Sequence, residues 1–196
     1  MKGVDERMKL FKKKVKVEEQ NLTMKEEVID FAKTFAKFAA VALIVRSFVF
    51  NVAQVEGRSM QPTLSEGDRV IVWQLFYTPN LFDVVVLEHT DGVYHVKRVL
   101  GTPGDHVDYV SGQLFINGNL IEEPYLYEDF SQTGFIFEQL CQFDDCHVIP
   151  ENYFLVLGDN RNVSGDSRRY GLVHRSQIVG RSVLRISPFS KFGIFD

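Results

Sequence analysis

An apolar run early in the chain limits what the rest can be. From Phe38 to Val55 it reads FAAVALIVRSFVFNVAQV, 18 residues with Arg46 as the single charge. That length approaches the roughly 20 residues needed to span a hydrocarbon core of about 30 Å. Arg46 at depth would cost about 2.5–3.5 kcal/mol on insertion scales, less where its side chain snorkels to the interface. A span from about Val28 to Phe50 would instead leave Lys33 and Lys37 at one flank. An amphipathic interfacial helix and a soluble core helix are the competing readings. The run favours a single transmembrane helix over 34–52. A cleaved leader is not expected, because the polar stretch before it is long and no small-x-small site precedes a mature start. Residues 1–37 carry ten Lys/Arg against seven Asp/Glu, and the rest of the chain is acidic. The positive-inside rule then places the basic tail (1–33) in the cytoplasm and residues 53–196 outside.

After Asn51 the texture turns from helical to strand-like. Val70–Trp73, Asp83–Leu87, Tyr94–Leu100, Gln113–Ile116 and Tyr153–Leu157 are short β-branched or aromatic runs punctuated by Gly, Pro, Asn and Asp. Asn117-Gly118 between Leu114–Ile116 and Asn119–Ile121 predicts a hairpin with a two-residue primed turn. Gly-Asp recurs at 67–68, 104–105, 158–159 and 165–166, which is turn chemistry and no metal array. Residues 122–150 are less regular and are expected to form an inserted loop or flap. The fold class predicted is mainly β, an antiparallel sheet domain behind one N-terminal helix. A net charge of −4 and a pI near 5.8 argue against nucleic acid as a partner.

Three segments carry candidate chemistry. In Gly57-Arg58-Ser59-Met60-Gln61-Pro62-Thr63-Leu64 a serine is held at a turn, where its hydroxyl can be presented to a substrate. It is not the G-x-S-x-G elbow, since Gln61 replaces the second glycine. In Tyr94–Asp105, strand alternation puts His95, Lys97 and Val99 on one face and Tyr94, Val96, Arg98 and Leu100 on the other. A lysine on a face that becomes buried loses ammonium stability and turns into a general base. Gly158-Asp159-Asn160-Arg161-Asn162-Val163-Ser164-Gly165-Asp166-Ser167-Arg168 is dense in hydroxyls and opposite charges, and taken alone reads as a turn with surface ion pairs. Asn162-Val163-Ser164 matches a glycosylation acceptor only weakly.

Together, G-x-S-M-x-P-T-L, K-R-V-x-G-x-P-G-D and G-D-N-x-x-x-S-x-D-S-R, in that order behind an apolar segment, resemble the type I signal peptidases. The short interval from 101 to 157 looks most like the compact enzymes of Gram-positive bacteria. The resemblance implies a Ser–Lys dyad protease that removes signal peptides from secreted preproteins, with Ser59 as nucleophile and Lys97 as general base. It implies that Ser164 hydrogen-bonds and orients the lysine, and that Asp166 and Arg168 form an ion pair shaping the site. Arg98 and Asp159 are expected as structural residues there, and Met60 as packing beside the nucleophile. Val55, Met60, Leu64 and Val96 are candidates for lining shallow substrate pockets. The strand Asn51–Val55 and the segment around Lys97 would receive the peptide as an added strand. The Ser59 N–H is the expected oxyanion donor; some members place a second hydroxyl where this chain has Gly57. No cofactor or metal is expected. The partners implied are preproteins, the lipid bilayer and, transiently, the secretion translocase.

Other readings stand beside this one. Self-cleaving repressors use a related dyad but carry a DNA-binding helix-turn-helix, which residues 1–50 do not resemble. Some signal-peptidase homologues act as assembly factors or dedicated enzymes for surface structures such as pili. A Ser–His hydrolase would draw on His89, His95, His106, His147 or His174, none of which sits in a recognisable motif. Cys141 and Cys146 are too widely spaced for a C-x-x-C pair and are expected to bridge in an oxidising exterior.

Overall fold

In the computed structural model, the structure describes residues 24–25, 27–44, 49–88, 94–126, 134–143 and 146–195. The chain divides into two units, Met1–Ser47 and Phe48–Asp196. In the first, residues 27–44 are helical (α1). Phe31, Phe35, Phe38, Val41 and Leu43 are exposed along it, and Lys33 pairs with Asp30 at 3.3 Å. Among the described residues no helix is long and apolar enough to cross a membrane. Arg46 lies outside the described residues.

The apolar run of 38–55 is not one element, as a helix over 34–52 would require. It is helical through residue 44 and reappears as strand β1, Phe50–Gln54. The backbone groups of β1 pair antiparallel with β2 (Arg69–Trp73), from Phe50 opposite Trp73 to Gln54 opposite Arg69. Its aromatic and β-branched residues suit this pairing, and Phe50 packs edge-on against Trp73.

The second unit is built on a seven-stranded antiparallel sheet. Its strands are β1, β2, β3 (Val84–Glu88), β4 (Tyr94–Gly101), β8 (Tyr153–Leu157), β9 (Val173–His174) and β10 (Ile178–Ser187). Their order across the sheet is β1-β2-β10-β3-β4-β8-β9. The last strand of the chain thus lies between β2 and β3. A second sheet, β5 (Val107–Val110), β6 (Gln113–Ile116) and β7 (Asn119–Ile121), contains the expected hairpin. Asn117 and Gly118 both take positive φ, 52° and 77°, as a primed turn requires.

Strand alternation divides the buried residues. Val55, Met60, Leu64, Val70, Val72, Val84, Val86 and Val96 pack on one face of the main sheet, while Val85, Leu87, Val99 and Val156 pack on the other. The second sheet has a core of its own around Leu100, Tyr109, Leu114 and Leu155. The described residues of 122–150 contribute to it. The described part of the segment is irregular, but Phe135, Phe137, Leu140 and Ile149 are buried in this core, and Phe135 bridges to Tyr109. Burying side chains of this size stabilises by roughly 1.5–3 kcal/mol each, which holds the segment down. Cys141 and Cys146 form a disulfide at its edge.

Candidate active site

Ser59 follows β1 on a turn that the core holds from below. Val55 N–H donates to Asp68 O at 2.8 Å and Gly67 N–H to Val55 O at 2.9 Å, extending the β1–β2 ladder. Gly57 then reverses the chain with a φ of 74°, a conformation side-chain-bearing residues avoid. Met60 and Leu64, 1% and 0% exposed, enter the core, and Leu64 N–H donates to Met60 O at 2.8 Å. The turn is therefore fixed on both sides of the serine, whose hydroxyl stays at the surface of the core.

Lys97 comes from the middle of β4, opposite Val85 of β3. Its Nζ lies 3.0 Å from Ser59 Oγ and 2.9 Å from Val96 O. The side chain is 1% exposed, and no salt bridge to it occurs among the described residues. Burial pushes its pKa down from 10.5 to about 8, while the charges of Asp166 and Asp159 pull the other way. Desolvation wins because neither carboxylate contacts the amine directly; both are committed elsewhere.

Those commitments define the loop after β8. Arg98, next to Lys97 but on the opposite face, donates from Nε and Nη2 to the two oxygens of Asp159, at 2.9 and 2.8 Å. Thr63 donates its hydroxyl to the same carboxylate, tying the serine turn to it. Asp166 accepts from Gly158 N–H at 3.1 Å and pairs with Arg168 at 2.8 Å. It also caps the short helix α2 (Ser167–Tyr170) through Arg168 N–H. The expected Asp166–Arg168 pair is therefore formed. The loop's ion pairs are not surface pairs: Arg98, Asp159 and Asp166 are buried. Asn160 N–H donates to Ser59 O at 2.9 Å, so this loop also grips the nucleophile's own backbone.

One expectation needs correction. Ser164 does not hydrogen-bond Lys97. Its Oγ is buried with no hydrogen-bond partner among the described residues. It packs over Gly158, where an added Cβ would lie 2.2 Å from it. Val55, Met60, Leu64 and Val96, expected at the substrate pockets, are buried in one core, 0–8% exposed. A groove of about 460 Å³ along β1 is lined by Asn51, Gln54, Glu56, Val72, Val86 and Tyr94 among others. Sequence reasoning missed Thr63, Glu123, Tyr125 and Arg161; only Thr63 and Arg161 lay within the motifs that pointed here. Of the histidines, His106 is held by His147 O and Asp108, and His174 by Ser176; His89 lies outside the described residues.

A serine hydroxyl beside a buried amine has the chemistry of a nucleophile with a lysine base, the class of Ser–Lys hydrolases. Residues 28–187 match the family described as signal peptidase, peptidase S26, and the chain belongs to that family. Signal peptidase IB of Staphylococcus aureus (strain COL) is 38% identical over 180 residues, covering 86% of this chain and 94% of that protein. Signal peptidase I S of Bacillus subtilis (strain 168) is 37% identical over 179 residues, covering 88% and 96%. A crystal structure of a signal peptidase I from Enterococcus faecalis V583 aligns with a TM-score of 0.48 at 32% identity, covering 54% of this chain and 97% of that one.

Proposed function

We propose that this chain is a type I signal peptidase, a serine endopeptidase that cuts N-terminal signal peptides from secreted preproteins after small-x-small sequences. One observation carries the reading: Ser59 Oγ stands 3.0 Å from the amine of a lysine whose pKa burial lowers to about 8, so that the neutral form is well populated there. The neutral amine takes the Ser59 proton as Oγ attacks the scissile carbonyl. The Oγ–C bond forms and the carbonyl electron pair moves onto oxygen. Collapse of this intermediate expels the amine of the mature protein, which receives the proton from Lys97. Water, deprotonated by Lys97, then hydrolyses the Ser59 ester and frees the signal peptide as its carboxylate. The Ser59 N–H is the first donor to the oxyanion. Gly57 offers no side-chain donor, and its φ of 74° disfavours one.

The groove between β1 and the start of β4 suits an extended peptide. β1 is an edge strand, and the register of β4 with β8 begins at Arg98 opposite Leu157. An edge strand can donate and accept main-chain hydrogen bonds. The apolar residues exposed along α1, and the basic tail before it, support a membrane anchor with the tail in the cytoplasm and the catalytic unit outside. In that setting the bilayer is a permanent partner and the translocase a transient one. A homologue that assembles surface structures without cleaving has less support, because both members of the dyad are in place.

Incubation of the detergent-solubilised chain with a preprotein, followed by N-terminal sequencing of the product, tests the activity. Cleavage after a small-x-small site is the expected result, and an intact preprotein sinks the reading. Protease added outside intact cells should digest the catalytic unit and spare the tail. Protection of the whole chain until lysis would overturn the topology alone.

A further inference from the structure

We infer that Glu123, in the irregular segment after β7, is a positioning residue for the Ser59–Lys97 pair, acting through Arg161 and the backbone of Gly158–Asn160. The inference rests on the peptidase reading above and extends it to a residue outside the three motifs. Glu123 and Arg161 form an ion pair whose side chains are 5% and 1% exposed. Arg161 Nε donates to Gly158 O at 3.1 Å. Gly158 lies directly against the nucleophile, for an added Cβ would stand 2.5 Å from Ser59 O. Two residues on, Asn160 N–H donates to that same oxygen at 2.9 Å. A buried carboxylate in one core thus fixes a guanidinium, which fixes the loop that holds the serine.

The same short segment reaches the other handle of the loop. Tyr125 donates its hydroxyl to Glu123 Oε1 at 2.9 Å. Its ring lies 3.9 Å from the guanidinium carbon of Arg98, and Arg98 holds Asp159. Glu123-Pro124-Tyr125 therefore brackets Arg98 and Arg161, the two arginines on either side of the Gly158–Arg161 turn. A planar guanidinium serves Glu123 and Gly158 O together because its donors form a rigid fork, which a lysine ammonium does not reproduce.

The test compares preprotein cleavage by the solubilised full chain in wild type, Ser59→Ala, Arg161→Lys and the double variant Glu123→Met with Arg161→Met. Arg161→Lys keeps a positive charge opposite Glu123 but loses the fork. The double variant removes both charges together and so avoids leaving one buried alone. Positioning predicts that kcat falls about tenfold or more in both, with KM nearly unchanged and the melting temperature close to wild type. A folded variant of either kind that keeps kcat within about threefold of wild type overturns the inference, since a merely structural pair is replaceable. Equal cleavage by wild type and Ser59→Ala would instead sink the peptidase reading, so the two failures are told apart.

Discussion

Lys97 and Arg98 are neighbours on one strand, each 1% exposed, and the fold treats their charges in opposite ways. Arg98 receives a carboxylate through two parallel hydrogen bonds. Lys97 receives only neutral oxygens, those of Ser59 and Val96. A strand sends adjacent side chains to opposite faces. One cation can therefore be neutralised as scaffold while the next is left to lose its proton.

The dyad makes the first prediction. Lys97→Arg should be inactive although charge and length are nearly kept, because guanidinium does not deprotonate in proteins. Ser59→Ala should be equally inactive, and the double variant no worse than either, since the groups act as a unit. Steady-state cleavage of a preprotein reads all three. A folded Lys97→Arg enzyme that still cuts at a substantial fraction of the wild-type rate would remove lysine from the base role.

The second prediction is a pair of opposed pH effects. With the Lys97 pKa lowered by burial to about 8, kcat/KM should rise as pH approaches that value and level above it. Stability follows from the same shift. Between about 8 and 10.5 the unfolded chain binds more protons at this site than the folded one, so stability rises with pH across that window. Below about pH 8 the buried ammonium costs on the order of 3 kcal/mol. Lys97→Met should accordingly melt higher than wild type near neutral pH, with the gap closing as pH rises. A Lys97→Met variant less stable at every pH would contradict this.

The third concerns Asp159. Replacing it with alanine strands the buried Arg98 charge, a change that typically costs about 3–5 kcal/mol. Denaturant unfolding should record that loss, and activity should fall with it because Thr63 loses its partner on the serine turn. The comparable surface change Asp30→Ala, which removes the exposed Lys33 pair, should shift stability by less than about 0.5 kcal/mol.

The chemistry was more legible in the sequence than the support beneath it. Ser59 and Lys97 taken alone read as a turn serine and a strand lysine. The resemblance of their motifs, in order, to a known family marked them as nucleophile and base, whereas Asn117-Gly118 announces its turn unaided. For Met60, Leu64 and Val96 the sequence leaves groove and core unseparated, because a short apolar side chain looks the same in either. The Gly158–Arg168 loop reads as surface because charged residues usually are, and only its tertiary partners Arg98, Thr63 and Glu123 bury it. Ile178–Ser187 gave no strand signal. Its register shifts at three places against β2 and β3, which breaks the period-two pattern that marks a strand. Glu123 and Tyr125 lie in a stretch without periodicity, so no local signal could find them.

The fourth prediction is covalent. Cys141 and Cys146 are bridged with a sequence separation of 5, so protein isolated without reductant should yield no alkylatable thiol. Reduction should lower stability by about 2 kcal/mol on loop-entropy grounds. Gln142, inside the bridged loop, donates to Tyr170 O at 3.0 Å. Loosening it should therefore raise amide exchange first around residues 170–172, which mass spectrometry would resolve.

The position of β10 also governs when this protein becomes an enzyme. The strand leading into Ser59 pairs with β2, Lys97 lies on a strand paired with β3, and the segment that seats between β2 and β3 follows both of them in the chain. Until Ile178–Ser187 arrives, nucleophile and base belong to separate sheet fragments with unpaired edges. The peptidase is thereby inert until this strand is seated, and β10 acts as the catch that arms it.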